Sequence, residues 1–240
     1  MEEAIVVRGL TKRYDGRAVV DGLDLTVRRG TVFGLLGANG AGKSTSIECM
    51  LGTRRADGGT VRLLGQDPRK NRRALMARIG VQFQEGDYQK EIKVSELCKE
   101  TASLYRSPAD WHKLCEQFGI GDKANTPVKG LSGGERQRLF IILALIPQPE
   151  LVFLDELTTG LDAKARRGVW KTLEGLKEQG LTIFLTSHFM DEVEALCDEI
   201  CILKKGTPVF RGTVEQAKTQ CGCERFEDAY LQLSDEEVDE

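Results

Sequence analysis

Eight residues limit what this chain can fold into more than any others: Gly37-Ala38-Asn39-Gly40-Ala41-Gly42-Lys43-Ser44, a G-x-x-x-x-G-K-S stretch. The uniformly apolar run 32–36 before it reads as a strand buried on both faces, and a helix is expected from about Lys43. Glycines let backbone wrap closely around phosphate oxygens without Cβ clashes, and the inward-pointing amides form an anion nest at a helix N-terminus. Lys43 is expected to place its ammonium on the β- and γ-phosphates, and the Ser44 hydroxyl to coordinate Mg²⁺. Asn39, Gly40, Ala41, Gly42 and Thr45 are the other expected nucleotide contacts.

Composition narrows the setting. The chain has 240 residues, 34 Lys and Arg against 37 Asp and Glu, and a formal net charge of -3, so no global attraction to nucleic acid is expected. No apolar run approaches the ~18–20 residues needed to span a bilayer. The longest, 139–146, has eight and reads as a buried helix. The Met-Glu-Glu start lacks the basic segment of a secretory signal, and seven scattered cysteines suggest reduced thiols in a cytoplasm. Cys221-Gly222-Cys223 falls short of a four-ligand zinc site and reads as two reduced surface thiols.

Short apolar runs at 5–7, 18–20 and 23–27 read as strands punctuated by Asp15-Gly16 and Asp21-Gly22. Further strands are expected at 60–64 and 79–83. From about 91 to 130 the texture turns helical, with Leu97, Leu104 and Tyr105, then Trp111, Leu114 and Phe118; this reads as an inserted helical subdomain. Beyond it helices (135–146, 163–177, 190–197) alternate with strands (151–154, 181–185), and 199–203 and 208–210 form a hairpin around Lys205-Gly206. The alternation argues for an α/β fold with a mostly parallel sheet, an N-terminal antiparallel β subdomain and an inserted α-helical subdomain. Residues 1–220 are taken as the main domain and 221–240 as a C-terminal helix and acidic tail. The whole stretch 213–233 is expected to be helical, and five of the last six residues are acidic.

Leu151-Val152-Phe153-Leu154-Asp155-Glu156 is four apolar residues followed by two acids. A buried parallel strand delivers such acids at its C-terminal end, where open α/β sheets bind ligands. Asp155 is placed to hold Mg²⁺ from the far side, and Glu156 to polarise an attacking water. In Leu131-Ser132-Gly133-Gly134-Glu135-Arg136-Gln137, Ser132 and Glu135 make an S-x-x-E capping box, and Gly133 and Gly134 expose amides at the positive end of the next helix.

That last fragment resembles the signature motif of the ABC ATPases, and the rest of the chain follows the pattern of that family nearly end to end, around a P-loop NTPase core. The resemblance implies that Tyr14 stacks on adenine, that Gln84 is the Q-loop glutamine contacting Mg²⁺ and water, that Asp162 in Gly160-Leu161-Asp162 belongs to the D-loop crossing a dimer interface, and that His188 is the switch histidine on the γ-phosphate. It implies ATP and Mg²⁺ as ligands and a head-to-tail homodimer or heterodimer with another ABC ATPase. It also implies separate transmembrane permease subunits, and thus a place on the cytoplasmic face of a membrane. The pattern around Thr158-Thr159-Gly160-Leu161-Asp162 looks most like ABC-2 export systems, including multidrug exporters. Leu157 departs from the family, which usually has Pro there, and is expected to loosen the turn. A member acting on ribosomes or DNA is the alternative, disfavoured by the single cassette and the short insertion. A binding-only module is disfavoured by intact Lys43, Asp155, Glu156 and His188.

Overall fold

The computed structural model describes residues 2–83, 89 and 91–234. β1 (Glu3–Tyr14) and β2 (Arg17–Arg28) form an antiparallel hairpin. Asp15 and Gly16 make its turn with φ of 49° and 80°, the left-handed pair that suits the twist of two antiparallel strands. β3 (Val32–Leu36) leaves for a second sheet, α1 (Lys43–Met50) follows, and β4 (Gly58–Leu63) returns to pair with β1, giving the strand order β2-β1-β4.

The remaining strands are β5 (Ile79–Gln82), β6 (Leu151–Leu154), β7 (Thr182–Thr186), β8 (Glu199–Lys204) and β9 (Thr207–Gly212). With β3 they form a six-stranded sheet ordered β5-β6-β7-β3-β8-β9, parallel except for the β8–β9 hairpin. β3, β6 and β7 are buried at every position, as a sheet covered on both faces requires. Phe33, Phe184 and Phe153 lie opposite one another on these three strands, with ring centroids 5.6 and 5.2 Å apart. Burying each such ring contributes roughly 1.5–3 kcal/mol and fixes the register of neighbouring strands.

The helices are α2 (Arg72–Met76), α3 (Val94–Ser103), α4 (Trp111–Gln117), α5 (Gly133–Leu145), α6 (Ala163–Glu178), α7 (Met190–Leu196), α8 (Val214–Cys221) and α9 (Phe226–Ser234). α3 and α4 share one hydrophobic cluster with α5, α6 and one face of the parallel sheet. The opposite face packs with α1 on the antiparallel sheet, and α7, α8 and α9 close a third cluster against β8. The run 139–146 is indeed buried, and among the described residues no helix is long and apolar enough to cross a membrane.

Three local expectations need correction, and one helix was not anticipated. Asp21-Gly22 is not a turn: two residues of β2 lie opposite Thr11 alone, so the pair forms a bulge inside one continuous strand. Asp21 N–H donates to the Gly206 carbonyl at 2.9 Å, so the bulge ties the hairpin to the β8–β9 turn. Leu104 lies beyond the end of α3 and is 75% exposed. Residues 213–233 form two helices, because Gly222 at φ 67° ends α8 in a left-handed cap. α2 was not anticipated; at five residues it is too short for a period to show. The acidic tail 235–240 lies outside the described residues.

Candidate functional site

β6, β7 and β3 are adjacent and parallel, so Asp155 and Glu156, His188, and the 37–44 loop all leave the same edge of the sheet. A cavity of about 670 Å³ opens there, lined by 37–40 and 42–45 of the loop, by Glu156 and His188, and by Val19 and Tyr230.

The loop has no room for side chains at two glycines. A Cβ on Gly37 would come 2.4 Å from the Leu203 carbonyl oxygen, and one on Gly42 would come 2.4 Å from that of Val19. Their φ values, 146° and 101°, exclude ordinary L-residues independently. Lys43 is buried and folds back along the loop, its Nζ donating to the Gly37 carbonyl at 2.6 Å and the Ala38 carbonyl at 3.1 Å. α1 starts without a side-chain cap and without an acid in its first turn, so its leading amides face the cavity with the helix dipole behind them. Ala41 is the exception in the loop: it does not line the cavity, and its N–H donates to the Ala38 carbonyl at 3.0 Å.

Asp155 is buried, and its Oδ1 accepts from Thr186 Oγ1 at 2.5 Å. The same hydroxyl oxygen accepts from Glu156 N–H at 2.9 Å. Glu156 stands at φ 52°, a strained conformation for a branched-chain-free but bulky acid, and its carbonyl accepts from Gln137 Nε2 at 3.1 Å. Gln137 Nε2 also donates to the Leu157 carbonyl at 2.9 Å, so α5 holds the turn directly. Leu157, expected to loosen this turn, is packed rather than exposed. Its side chain is fully buried in the helical cluster, a packing restraint of a different kind from a proline ring. His188 follows β7, its ring 4.2 Å from that of Phe189.

The signature segment is organised as expected. Ser132 Oγ accepts from Glu135 N–H at 3.2 Å, and Glu135 Oε2 accepts from Ser132 N–H at 2.8 Å. That backbone N–H, helped by the Ser132 hydroxyl and Lys123, holds the Glu135 carboxyl below the usual carboxylate range. Asp162 caps α6 by accepting from Ala165 N–H at 2.8 Å. Gly133 lines a smaller cavity of about 240 Å³ with Gln137, Thr159 and Gly160, and Asp155 and Glu156 border it too. Glu156 is thus shared by both cavities, whereas Ser132, Gly134 and Asp162 line neither.

Tyr14 is not brought to the main cavity. It is exposed at the end of β1, with Lys12 Nζ 5.2 Å and the Arg54 guanidinium 5.5 Å from its ring centroid. Gln84 lies outside the described residues. Sequence reasoning missed Tyr230, Thr186 and the holding role of Gln137. Tyr230 carries no motif and arrives from α9, far along the chain. Thr186 could have been noticed as a hydroxyl ending an otherwise apolar strand. Away from the site, Arg55, Arg62, Arg69 and Lys70 line a second large cavity with Asp57 and Asp67, a basic grouping spread too widely along the chain to read as a patch. Cys221 and Cys223 are partly buried against the third cluster rather than surface thiols.

A family model described as ABC transporter matches residues 20–159. Nod factor export ATP-binding protein I of Ralstonia nicotianae (strain ATCC BAA-1114 / GMI1000) is 42% identical over 228 residues, 92% of this chain and 71% of that protein. The daunorubicin/doxorubicin resistance ATP-binding protein DrrA of Streptomyces peucetius is 38% identical over 224 residues, 91% of this chain and 68% of that protein. The solved structure of an ATP binding subunit of an ABC transporter has the same fold, with a TM-score of 0.87 at 24% identity over 96% of this chain and 99% of that one.

Proposed function

The chain belongs to the ABC transporter family as an ATP-binding subunit of the export type, an ATPase, and from that premise we propose how its residues divide the work. The observation that carries the reading is the convergence of the 37–44 loop, Glu156 and His188 on one cavity at the ends of three adjacent strands. The triphosphate lies along the loop, its oxygens taking the amides that α1 leaves uncapped. Lys43 exchanges the Gly37 and Ala38 carbonyls for phosphate oxygens. Glu156 orients and deprotonates the attacking water, and His188 contacts the γ-phosphate from the β7 side. Ser44 and Asp155 present a hydroxyl and a carboxylate, the hard oxygen donors that suit Mg²⁺. That ion neutralises charge on the phosphates when bound.

Gly133 does not line the cavity that holds the 37–44 loop of its own chain, which supports a composite site: the loop of one protomer and the signature helix of a second enclose one nucleotide. Either a second copy or a sibling ATPase serves as that protomer. Closing excludes water and completes the site; hydrolysis removes the bridge, and the motion passes to transmembrane permease subunits. The chain then works on the cytoplasmic face of the membrane. Residues 1–220 form the ATPase domain with the helical subdomain 91–130 inserted, and 221–240 add the C-terminal helix and tail. Tyr14 and Gln84 keep their proposed contacts to adenine and to Mg²⁺ and water, and Asp162 its proposed place at the dimer interface.

Glu156→Gln tests the reading. Loss of a general base lowers turnover by about 10²–10⁴-fold. The variant retains ATP and accumulates an ATP-dependent closed dimer in size-exclusion chromatography with light scattering. Normal phosphate release by the variant would remove Glu156 from the role.

A further inference from the structure

We infer that Glu192 is a positioning residue of the ATPase reaction: its carboxyl joins the turn that carries Glu156, the helix α6 and the segment that carries His188 into one unit. The inference rests on the proposed roles of Glu156 and His188 and adds the part that holds them together.

Glu192 lies four residues after His188, in the first turn of α7, and is completely buried. Its Oε1 accepts from Thr158 Oγ1 at 2.6 Å and from Trp170 Nε1 at 3.0 Å. Thr158, itself completely buried, is two residues past Glu156 in the same turn. Trp170 belongs to α6, the helix that Asp162 caps. One turn earlier on α6, the Arg166 guanidinium lies 3.9 Å from the centroid of the Phe189 ring and donates to Asp191 at 3.1 Å. The Phe189 ring in turn lies against His188. α6 therefore grips the switch segment on both sides of the start of α7, and Glu192 connects that grip to the catalytic turn.

A packing role alone does not account for this residue. Oε2 is buried with no hydrogen-bond partner among the described residues, an acceptor that works against folding rather than for it. Burial pushes the carboxyl pKa upward, against the polar groups of Ser187, Thr158 and Trp170 and the charge of Arg166. Apolar residues filling such a site are often neutral or stabilising. What an apolar residue cannot do is take two hydrogen bonds at one oxygen from two separate elements. The 156–158 turn also meets the end of β7 through Glu156 N–H on the Thr186 hydroxyl, but Glu192 is where a side chain of α7 joins that turn and α6 at one atom.

The test uses the full chain and three variants. Thr158→Val removes one donor at nearly constant volume; Glu192→Ala removes the acceptor; Glu192→Gln keeps an oxygen acceptor in the same place. Loss of alignment by ~1 Å lowers kcat by about 10–100-fold. We expect that loss for Thr158→Val and Glu192→Ala, with the ATP Kd measured by equilibrium binding unchanged within about twofold, and recovery of most of the lost kcat in Glu192→Gln. The chain has only two histidines, so ring NMR reads His188 directly, with His112 as internal control. In Thr158→Val the His188 signals move and those of His112 do not. A folded Thr158→Val protein with wild-type kcat and an unmoved His188 spectrum overturns the inference, as does a Glu192→Gln variant no better than Glu192→Ala. Should Glu192→Ala not fold, Thr158→Val decides. Failure of the site itself looks different: wild-type turnover would then survive Glu156→Gln.

Discussion

The two glycine-flanked helix starts, at Lys43 and at Gly133, solve the same physical problem in opposite ways. Every helix begins with amides that have no partner inside the helix and with the positive end of its dipole. α5 answers from its own sequence: Ser132 and Glu135 satisfy each other's backbone N–H groups, and Glu135 puts a negative charge in the first turn. α1 has neither device. Its cap is a left-handed glycine without a side chain, its first turn holds no acid, and its first residue is the cation Lys43. A cation at a helix N-terminus opposes the dipole, so α1 is a start that only an anion completes. α5 is complete within one chain, yet of its two leading glycines only Gly134 is required by packing, since a Cβ there would come 3.0 Å from Leu161 Cδ2. A Cβ on Gly133 would meet nothing within 4 Å. Glycine in a helix costs roughly 0.5–1 kcal/mol relative to alanine, and nothing in the packing of this chain repays that at Gly133. The open approach matters to something arriving from outside, which on the proposed function is the nucleotide held by a second protomer.

Lys43→Ala breaks the comparison most severely. It removes the cation that leads α1 and the donor that Lys43 gives to the Gly37 and Ala38 carbonyls. Hydrogen bonds to charged groups are worth about 1.5–3 kcal/mol, so ATP binding to the isolated chain weakens by about 10–100-fold. Equilibrium binding of a fluorescent ATP analogue checks this, and the same measurement on the Ser132→Ala protein should show no change. Equal losses in both would mean that one chain uses both helix starts at once.

Gly133→Ala carries the second-largest effect, and it moves stability and activity in opposite directions. The added methyl group stabilises α5 by roughly 1 kcal/mol, which for a domain of this size raises Tm by about 2–4 °C. The same group closes the approach to the signature amides, so turnover falls while ATP binding to the isolated chain is unchanged. Differential scanning fluorimetry and phosphate release, run on one preparation, give both signs. A variant that is more stable and fully active would show that nothing comes close to Gly133 during turnover.

The contrast between the two starts also shows which parts of the molecule could be read from the sequence. Both helix starts, the 151–156 strand end and the parallel alternation are local in sequence, and the geometry of each was legible because one residue pattern maps to one geometry. Features that depend on partners distant in sequence were not. Asp15-Gly16 and Asp21-Gly22 are the same dipeptide class, yet the first closes a hairpin and the second bulges, because Asp21 is drawn to the Gly206 carbonyl. Leu157 looked like a weakened turn until its burial against α5 and α6 was visible. Tyr230 reaches the nucleotide cavity only because α9 folds back over β8. Gln137 stood in view within the signature fragment, but its grip on the Glu156 and Leu157 carbonyls is a tertiary fact.

Ser132→Ala and Glu135→Gln separate the two halves of the α5 cap and have the smallest effects. Loss of an N-cap hydroxyl costs about 1 kcal/mol, so Ser132→Ala lowers Tm by about 2–4 °C, opposite in sign to Gly133→Ala. Glutamine still fits a capping box, so Glu135→Gln keeps the geometry and loses only the charge: its favourable place at the helix start and its pairing with Lys123, whose Nζ lies 3.2 Å from Glu135 Oε1. At neutral pH the loss is a few tenths of a kcal/mol. Its sign with pH follows from the depressed folded-state pKa of Glu135, caused first by the Ser132 N–H. A depressed carboxyl contributes stability that is fully present above its unfolded pKa, about 4.3, and is lost as pH falls through the lower folded value. The Tm gap between wild type and Glu135→Gln is therefore constant from pH 8 down to about pH 5 and closes below about pH 4. A gap that stayed constant into acid would mean that the carboxylate contributes no more than a neutral amide, and that the Ser132 hydroxyl alone completes the start of α5.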